Sequence, residues 1–476
     1  MTPLSTQLQE NIHTAKQLLP IPQSFDIVTR ELYLGTTKAY WLGINGLCQT
    51  DLLQQIFSDL QDPLYMEEQT IEELSSYLNA KIGYVQASLA DSWEPLLLQL
   101  LSGPSVLLVD GFAQAILLDV RSYPGRSVEE PQTEQVTSGS RDGFVETLLT
   151  NANLIRRRLR TPGLTFEILT IGSLSHTDVA LAYINGWADP ALVHRLQIAC
   201  KQIKATTLTM GAASLKELLV PQKWYHPLPS VHMTQRPDVA CSFLSEGYAA
   251  LLVDNSPSVL ILPCSLFQFT QSPEDYYKSP STGNYFRLVR FLCLPVNLLL
   301  MPLFLLMTVH YPQLSEKLRL LSTPDTPGPT LIFYCFAVEL FLDLFKYAAT
   351  LGSNRFSGAL ALVGGLVIGD IAVDLRWANP ELLFYGALTL LTSLALSSIA
   401  FADGLRIYRL FLLLTTALGG VWGFGIGLLA ILISVATTPV FGGRSYLWPL
   451  FPLHRASLRA LLFRKPTYQV QPERKK

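Results

Sequence analysis

Residues 38–46 read KAYWLGING, and residues 178–186 read DVALAYING. Each run has the apolar, β-rich character of a strand and ends in Ile-Asn-Gly. A polar stretch with helical spacing follows at once, at 49–60 in the first copy and 189–203 in the second. Further along, LSGPSVLLVD (101–110) has its counterpart in LSEGYAALLVD (244–254). A second apolar strand follows each, at 113–120 and 258–263. Both copies therefore run strand, Asn-Gly, helix, more helix, strand pair. This internal repeat predicts two related α/β lobes over roughly residues 25–270. After Arg290 the chain becomes a series of apolar spans. The expected fold class is a two-lobed α/β cytosolic N-terminal module followed by an α-helical polytopic transmembrane domain. The expected segments are lobe 1 with a linker (1–135), lobe 2 (136–285), the transmembrane helical domain (286–440) and a basic cytosolic C-terminal tail (441–476).

Composition narrows the function classes. Of 476 residues, 49% are hydrophobic and only 15% charged, and the net charge is −2, so there is no basic field for nucleic acid. The six cysteines form no CxxC pair and the seven histidines are scattered, so no metal site or cofactor is expected. No nucleophile–base set or nucleotide loop stands out, and the chain is not read as an enzyme. The opening MTPLSTQLQENIHTAKQLLP lacks an apolar core, which places the module in the cytosol.

Residues 291–309 and 382–400 are uncharged apolar runs, and 330–351 is long enough to cross. Residues 358–372 are glycine-rich and contain Asp370, with Asp374 just beyond. Residues 407–438 are too long for one crossing and carry Gly419-Gly420 at their middle, so a broken pair of helices is expected there. The tail carries Arg444, Arg455, Arg459, Arg464, Lys465, Arg474, Lys475 and Lys476 against Glu473, which sets both termini in the cytosol. Six crossings satisfy this, with Lys346, Arg355, Arg406 and Arg409 facing the cytosol.

Glu339, Asp343 and Lys346 share one helix face, and Asp370 and Asp374 share another. Ionised groups in hydrocarbon face a bundle interior or water. Two readings stay open: Glu339, Asp343, Asp370 and Asp374 line a cation path, or the charges pair structurally, with Lys346 as a partner.

The densest motif joins the lobes at 127–160, SVEEPQTEQVTSGSRDGFVETLLTNANLIRRRLR. Ser140 or Asp142 is expected to cap a helix starting near Phe144. Glu129, Glu130, Glu134, Arg141, Asp142, Arg156, Arg157 and Arg158 are candidates for a lobe or subunit contact, the alternative being a solvated charged face.

This stretch resembles the signature of the GerA family of spore germinant-receptor A subunits: EEP, then G-x-R-D-GFVE, then N-x-x-L-I-RRR-x-R. The resemblance continues through Arg236-Pro237-Asp238, Val253-Asp254-Asn255-Ser256-Pro257, Glu274-Asp275-Tyr276-Tyr277 and Tyr446-Leu447-Trp448-Pro449. It implies an integral protein of the inner spore membrane. It also implies a homo-oligomeric ring, with a pentamer among the candidate sizes, proposed to act as a ligand-gated channel for monovalent cations. The implied partners are germinant-receptor subunits or a small membrane protein, together with membrane lipid. The short tail departs from larger members, and Arg459 stands where many carry an acid before Arg464-Lys465-Pro466.

Overall fold

The computed structural model describes residues 2–34, 36–60, 73–76, 86–123, 139–311, 327–351, 369, 373–374, 379–443 and 445–464. The chain divides into two compact units, chiefly Met1–Pro221 with Val231–Pro263, and Gln222–Ser230 with Cys264–Glu473. The expected division lay at 285, with 222–230 inside the second lobe.

In the first unit the repeat is realised element by element. The first copy comprises α1 (Leu8–Leu18), β1 (Ile27–Leu34), β2 (Thr37–Ile44), α2 (Thr50–Leu60), β3 (Ala87–Ala90), α3 (Trp93–Leu100), β4 (Ser105–Val109) and β5 (Ala115–Leu118). The second comprises α4 (Leu148–Arg158), β6 (Leu164–Ile171), β7 (Thr177–Ile184), α5 (Pro190–Gln202), α6 (Ala212–Leu219), β8 (His232–Thr234), α7 (Pro237–Ser245), β9 (Ala249–Val253) and β10 (Val259–Leu262). Each copy folds into one five-stranded sheet, ordered β1-β2-β4-β5-β3 and β6-β7-β9-β10-β8. Every pairing is antiparallel. The quoted runs are β2 and β7, the second strand of each sheet.

Alternation decides which residues meet which layer. In the first lobe Tyr40, Leu42, Ile44, Val106 and Leu108 pack with α1 and α3. Their neighbours Ala39, Leu107 and Val109 pack with Leu53, Ile56 and Leu60 of α2. The sheet is thus covered on both faces, which is why β4 and β9 are buried along their whole length.

The repeat extends to polar detail. Asp110 Oδ1 accepts from the Leu8 amide that opens α1, and Asp254 Oδ1 accepts from the Leu148 amide that opens α4. Asn11 clasps the backbone of Ser5, and Asn151 clasps that of Val145 in the same two-bond geometry. These contacts correct the expected helix start: α4 begins at Leu148, not near Phe144, and a distant aspartate satisfies its first amide. Ser140 and Asp142 hydrogen-bond each other instead.

In the second unit a short helix α8 (Glu274–Tyr277) precedes α9 (Pro280–His310), α10 (Gly328–Leu351), α11 (Pro380–Leu394), α12 (Ile399–Ala436) and α13 (Arg455–Leu462). α9, residues 328–347 of α10, and α12 are long and apolar enough to cross a membrane, and α11 is a shorter apolar helix. The expected span 358–372 lies almost wholly outside the described residues.

α12 is a hairpin rather than a rod. Gly420 adopts φ +55° and ψ −132°, a conformation open essentially to glycine. Beyond it the chain folds back, so that Tyr408 Oη lies 2.7 Å from Ser434 Oγ. In a continuous helix those residues would stand about 39 Å apart. Gly423 is pressed so close to the Thr415 carbonyl that a Cβ there would sit 1.9 Å from it. The expected break at Gly419-Gly420 is therefore a full reversal, with arms of about 31 and 24 Å.

Candidate functional site

Three charged assemblies stand out, one in the first unit and two in the second. In the first unit Arg156, on α4, is fully buried and reaches back to the first lobe. Its Nε donates to Asp26 Oδ2 at 2.7 Å and its Nη2 to Asp26 Oδ1 at 3.2 Å. The remaining donors go to the carbonyls of Leu164 and Thr161, and Ser24 Oγ donates to Asp26 Oδ1. The guanidinium carbon lies 5.3 Å from the Phe166 ring centroid. Ser24 and Phe25 meet β6 through two bonds: Phe25 N donates to the Phe166 carbonyl, and Phe166 N donates to Ser24 Oγ. A buried charge is tolerable here because nearly every lone pair and N–H is matched.

The neighbouring arginines do different things. Arg157 lies over the Tyr123 ring of the first lobe, 4.7 Å from its centroid. Arg158 turns within its own lobe and donates to Ser140 Oγ and to Asp142, at 2.7 Å to Oδ2. Burial would raise the Asp142 carboxyl, but the bonds from Ser140 and Arg158 outweigh it and hold it below the usual carboxylate range. Arg236 reaches the same turn, donating to the Ser140 carbonyl at 3.0 Å and to Asp238 at 2.7 Å. Arg141 is exposed. Glu129, Glu130 and Glu134 lie outside the described residues. The acid that meets Arg156 is instead Asp26, whose only signal in the sequence is an isolated charge just before a strand.

In the second unit three ion pairs form a ladder between α10 and the first arm of α12. Glu339 meets Arg409 at 2.7 Å, Asp343 meets Arg406 at 2.9 Å, and Lys346 meets Asp403 at 2.6 Å. The spacing follows from two antiparallel helices, with rungs three or four residues apart on each. Burial grades along it: the Glu339 side chain is 0% exposed, Asp343 21% and Asp403 50%. Arg409, expected on the cytosolic side, is buried with its guanidinium turned to Glu339.

The ladder extends into α9 and α11 through Asn297. Arg409 Nη1 donates to the Asn297 carbonyl and to Oδ1. Asn297 Nδ2 lies within 3.1 Å of the Thr389 carbonyl, Thr392 Oγ1 and Ser393 Oγ. Glu339 Oε1 and Arg409 Nε stay buried without a partner among the described residues. A narrow cleft lined by Asp343, Lys346, Thr389, Ser393 and Arg406 opens beside them. Asp374 is exposed and belongs to no rung among the described residues; Asp370 lies outside them. Asn297 and Asp403 were missed in the sequence, since a single polar residue at a helix position carries no periodic signal.

A second buried cluster stands at the start of α9. Asp275 pairs with Arg290 and lies 3.6 Å from Arg287 Nε. Arg287 Nη1 donates to the Ala460 and Leu461 carbonyls at the end of α13, and Arg464 donates to the carbonyls of Asp275 and Lys278. The Glu274–Tyr277 motif is thus a fastener between α9 and the segment after the hairpin. All six cysteines are free thiols.

A duplicated α/β module joined to apolar helices that carry a buried charge ladder defines a membrane-associated protein. Its sequence matches the family model of the Bacillus/Clostridium GerA spore germination protein over residues 15–476, and the chain belongs to that family. It is 32% identical to stage V sporulation protein AF of Bacillus subtilis (strain 168) over 451 residues, 94% of this chain and 91% of that one. It is 28% identical to spore germination protein KA of the same organism, over 99% of this chain and 87% of that one. A solved structure, the N-terminal domain of the A subunit of the Bacillus megaterium spore germinant receptor GerK3, aligns with 55% of this chain and 96% of its own. That alignment has 29% identity and a TM-score of 0.42. The protein is a spore germination protein associated with a membrane.

Proposed function

We infer that this chain is the membrane subunit of an oligomeric, channel-like complex that releases monovalent cations, or amplifies the germinant signal, during spore germination. The observation that carries the reading is the charge ladder Glu339–Arg409, Asp343–Arg406, Lys346–Asp403 among apolar helices. Charged groups at such depth are costly and are kept where ions or protons move or where helices must hold one arrangement. The ladder holds the closed arrangement, with its acids engaged. Parting α10 from the α12 hairpin frees Glu339 and Asp343 for a water-filled path, and the cleft beside Asp343 is where water enters first. A ring of copies turns each acid into a ring of charge. Asp370 and Asp374 belong to the same negative field. The chain crosses the inner spore membrane several times with both termini in the cytosol, and its partners are germinant-receptor subunits or a small membrane protein.

A second reading, a non-conducting scaffold that couples a receptor to other membrane proteins, is favoured by the complete burial of Glu339 against Arg409. Flux separates the two. Purified chain in liposomes should carry cations, and Asp343→Asn should change the reversal potential without loss of assembly. A tight liposome with verified oligomers and no flux under any trigger leaves the scaffold.

A further inference from the structure

Two segments far apart in sequence meet at one end of the helical unit. Residues 222–230 leave the second lobe between α6 and β8 and pack wholly on that unit. Tyr225 O accepts from Ser434 Oγ at 2.6 Å, near the end of the second arm of α12. Pro227 and Leu228 lie against Gly404, near the start of the first arm. The Pro229 carbonyl accepts from Tyr446 Oη at 2.9 Å. Both free ends of the hairpin are thereby gathered at the level of the 222–230 strap. The segment after Tyr446 stays at that level, because Arg287, at the start of α9, holds the last carbonyls of α13.

What these segments expose is unusual for water. Trp224 is 93% exposed and Phe451 70%, with Leu453 and Phe463 also exposed. Basic side chains are interleaved: Lys223 lies over the Tyr225 ring, and Arg455 and Arg459 share one face of α13. Leu458, Leu461 and Leu462 sit beside that face, and no residue of α13 is buried. Aromatic rings and snorkelling arginines beside the ends of apolar helices match the chemistry of the membrane interface, with acyl chains below and phosphates above.

We propose that residues 222–226 and 446–463 form an aromatic and basic collar that lies in the headgroup layer of an anionic lipid leaflet. This rests on the reading that the apolar helices cross a membrane. In this arrangement Trp224 and Phe451 sit at the glycerol level, and Arg455 and Arg459 meet lipid phosphates. The 222–230 strap, part of the helical unit, then lies at the membrane surface beside the hairpin.

The test uses the full chain in vesicles of phosphatidylcholine, with and without phosphatidylglycerol. A solvatochromic fluorescent amino acid replaces Trp224 or Phe451. Reference sites are Leu340, exposed on α10, and Leu174, exposed in the first unit. Lipids brominated near the headgroup or deep in the chain act as quenchers. Positions 224 and 451 should be quenched chiefly by the shallow bromines, 340 by the deep ones, and 174 by neither. Adding phosphatidylglycerol should strengthen the shallow quenching, and Arg455→Gln with Arg459→Gln should remove that gain. If 340 is quenched while 224 and 451 behave like 174, the collar is wrong and the crossing helices stand. If 340 also escapes quenching, the membrane reading itself fails. Blue-shifted emission at 224 without quenching means that a protein surface covers it, and this too overturns the proposal.

Discussion

Asp26 and Arg156 form a side-on, two-bond ion pair between the lobes, with both side chains 0% exposed. The repeat carries only half of this pair: in the register set by Asn11 and Asn151, Arg156 stands opposite the exposed Lys16, whereas the Asn45 amide bonds the Asp26 carbonyl in the first lobe and the Asn185 amide bonds that of Gly163 in the second. The position equivalent to Asp26 is therefore a glycine. Duplication supplied two copies of one fold, and this pair is where the copies differ in order to join.

Removing one partner should be far worse than removing both. Asp26→Asn leaves a buried guanidinium without its counter-charge, a change that costs about 3–5 kcal/mol in comparable sites. Asp26→Leu with Arg156→Met should recover most of that loss. Urea unfolding of the detergent-solubilised chain, followed by proteolysis between the lobes, reads the difference. A double variant as unstable as the single one means the pair matters for its hydrogen bonds rather than its charge balance.

Much of this fold was legible because repetition is visible without knowing what the repeat builds. The runs ending in Ile44-Asn45-Gly46 and Ile184-Asn185-Gly186 mark the second strand of each sheet. The hairpin partners β1 and β6 were less visible, because IVTRELYL and LTFEILTI mix polar and apolar residues on partly exposed strands. The arginine run was open to two readings, a contact or a solvated face; its three members serve three targets, and only Arg156 is buried. In the helical unit the acids of α10 were found from their spacing. Their partners Asp403, Arg406 and Arg409 on α12 were not, since spacing along one helix does not say which other helix packs against it.

The reversal at Gly420 makes its own prediction. Tyr408→Cys with Ser434→Cys, treated with a short bifunctional thiol reagent, should give linked peptides by mass spectrometry. A straight helix holds those positions about 39 Å apart, so absence of the link with both thiols labelled singly refutes the hairpin. Gly420→Ala places a Cβ in a conformation that costs about 1–3 kcal/mol and close to the His310 ring. It should lower the yield of folded protein.

His232, on β8, titrates far from its ordinary range. Burial disfavours the charged ring and pushes its pKa down to about 4. Its ring packs 5.2 Å from that of Phe243. The unfolded chain binds this proton near pH 6.5, and the folded chain only near pH 4. Stability is full above about pH 6.5 and falls as the pH drops towards 4, by about 3 kcal/mol. His232→Phe should flatten the melting temperature across that window. An equally steep fall in the variant assigns the pH dependence to other groups.

The ladder between α10 and α12 ranks its own mutations. A pair is worth more, and its breaking costs more, as water is excluded from it. Glu339→Gln leaves Arg409 buried beside Asn297 and should be the most damaging, at about 3–5 kcal/mol. Asp343→Asn touches a partly exposed rung and should cost about 1 kcal/mol, and Lys346→Gln opposite the half-exposed Asp403 less still. Reversing a rung tests geometry apart from charge: Asp343→Arg with Arg406→Asp should recover most of what either single change loses. Thermal unfolding in detergent, with assembly followed by size-exclusion chromatography, gives the order. If Lys346→Gln proves as damaging as Glu339→Gln, depth does not govern the ladder. If the reversed rung fails to recover, neighbouring charges fix its sense, and Asp343 and Arg406 are not an isolated pair.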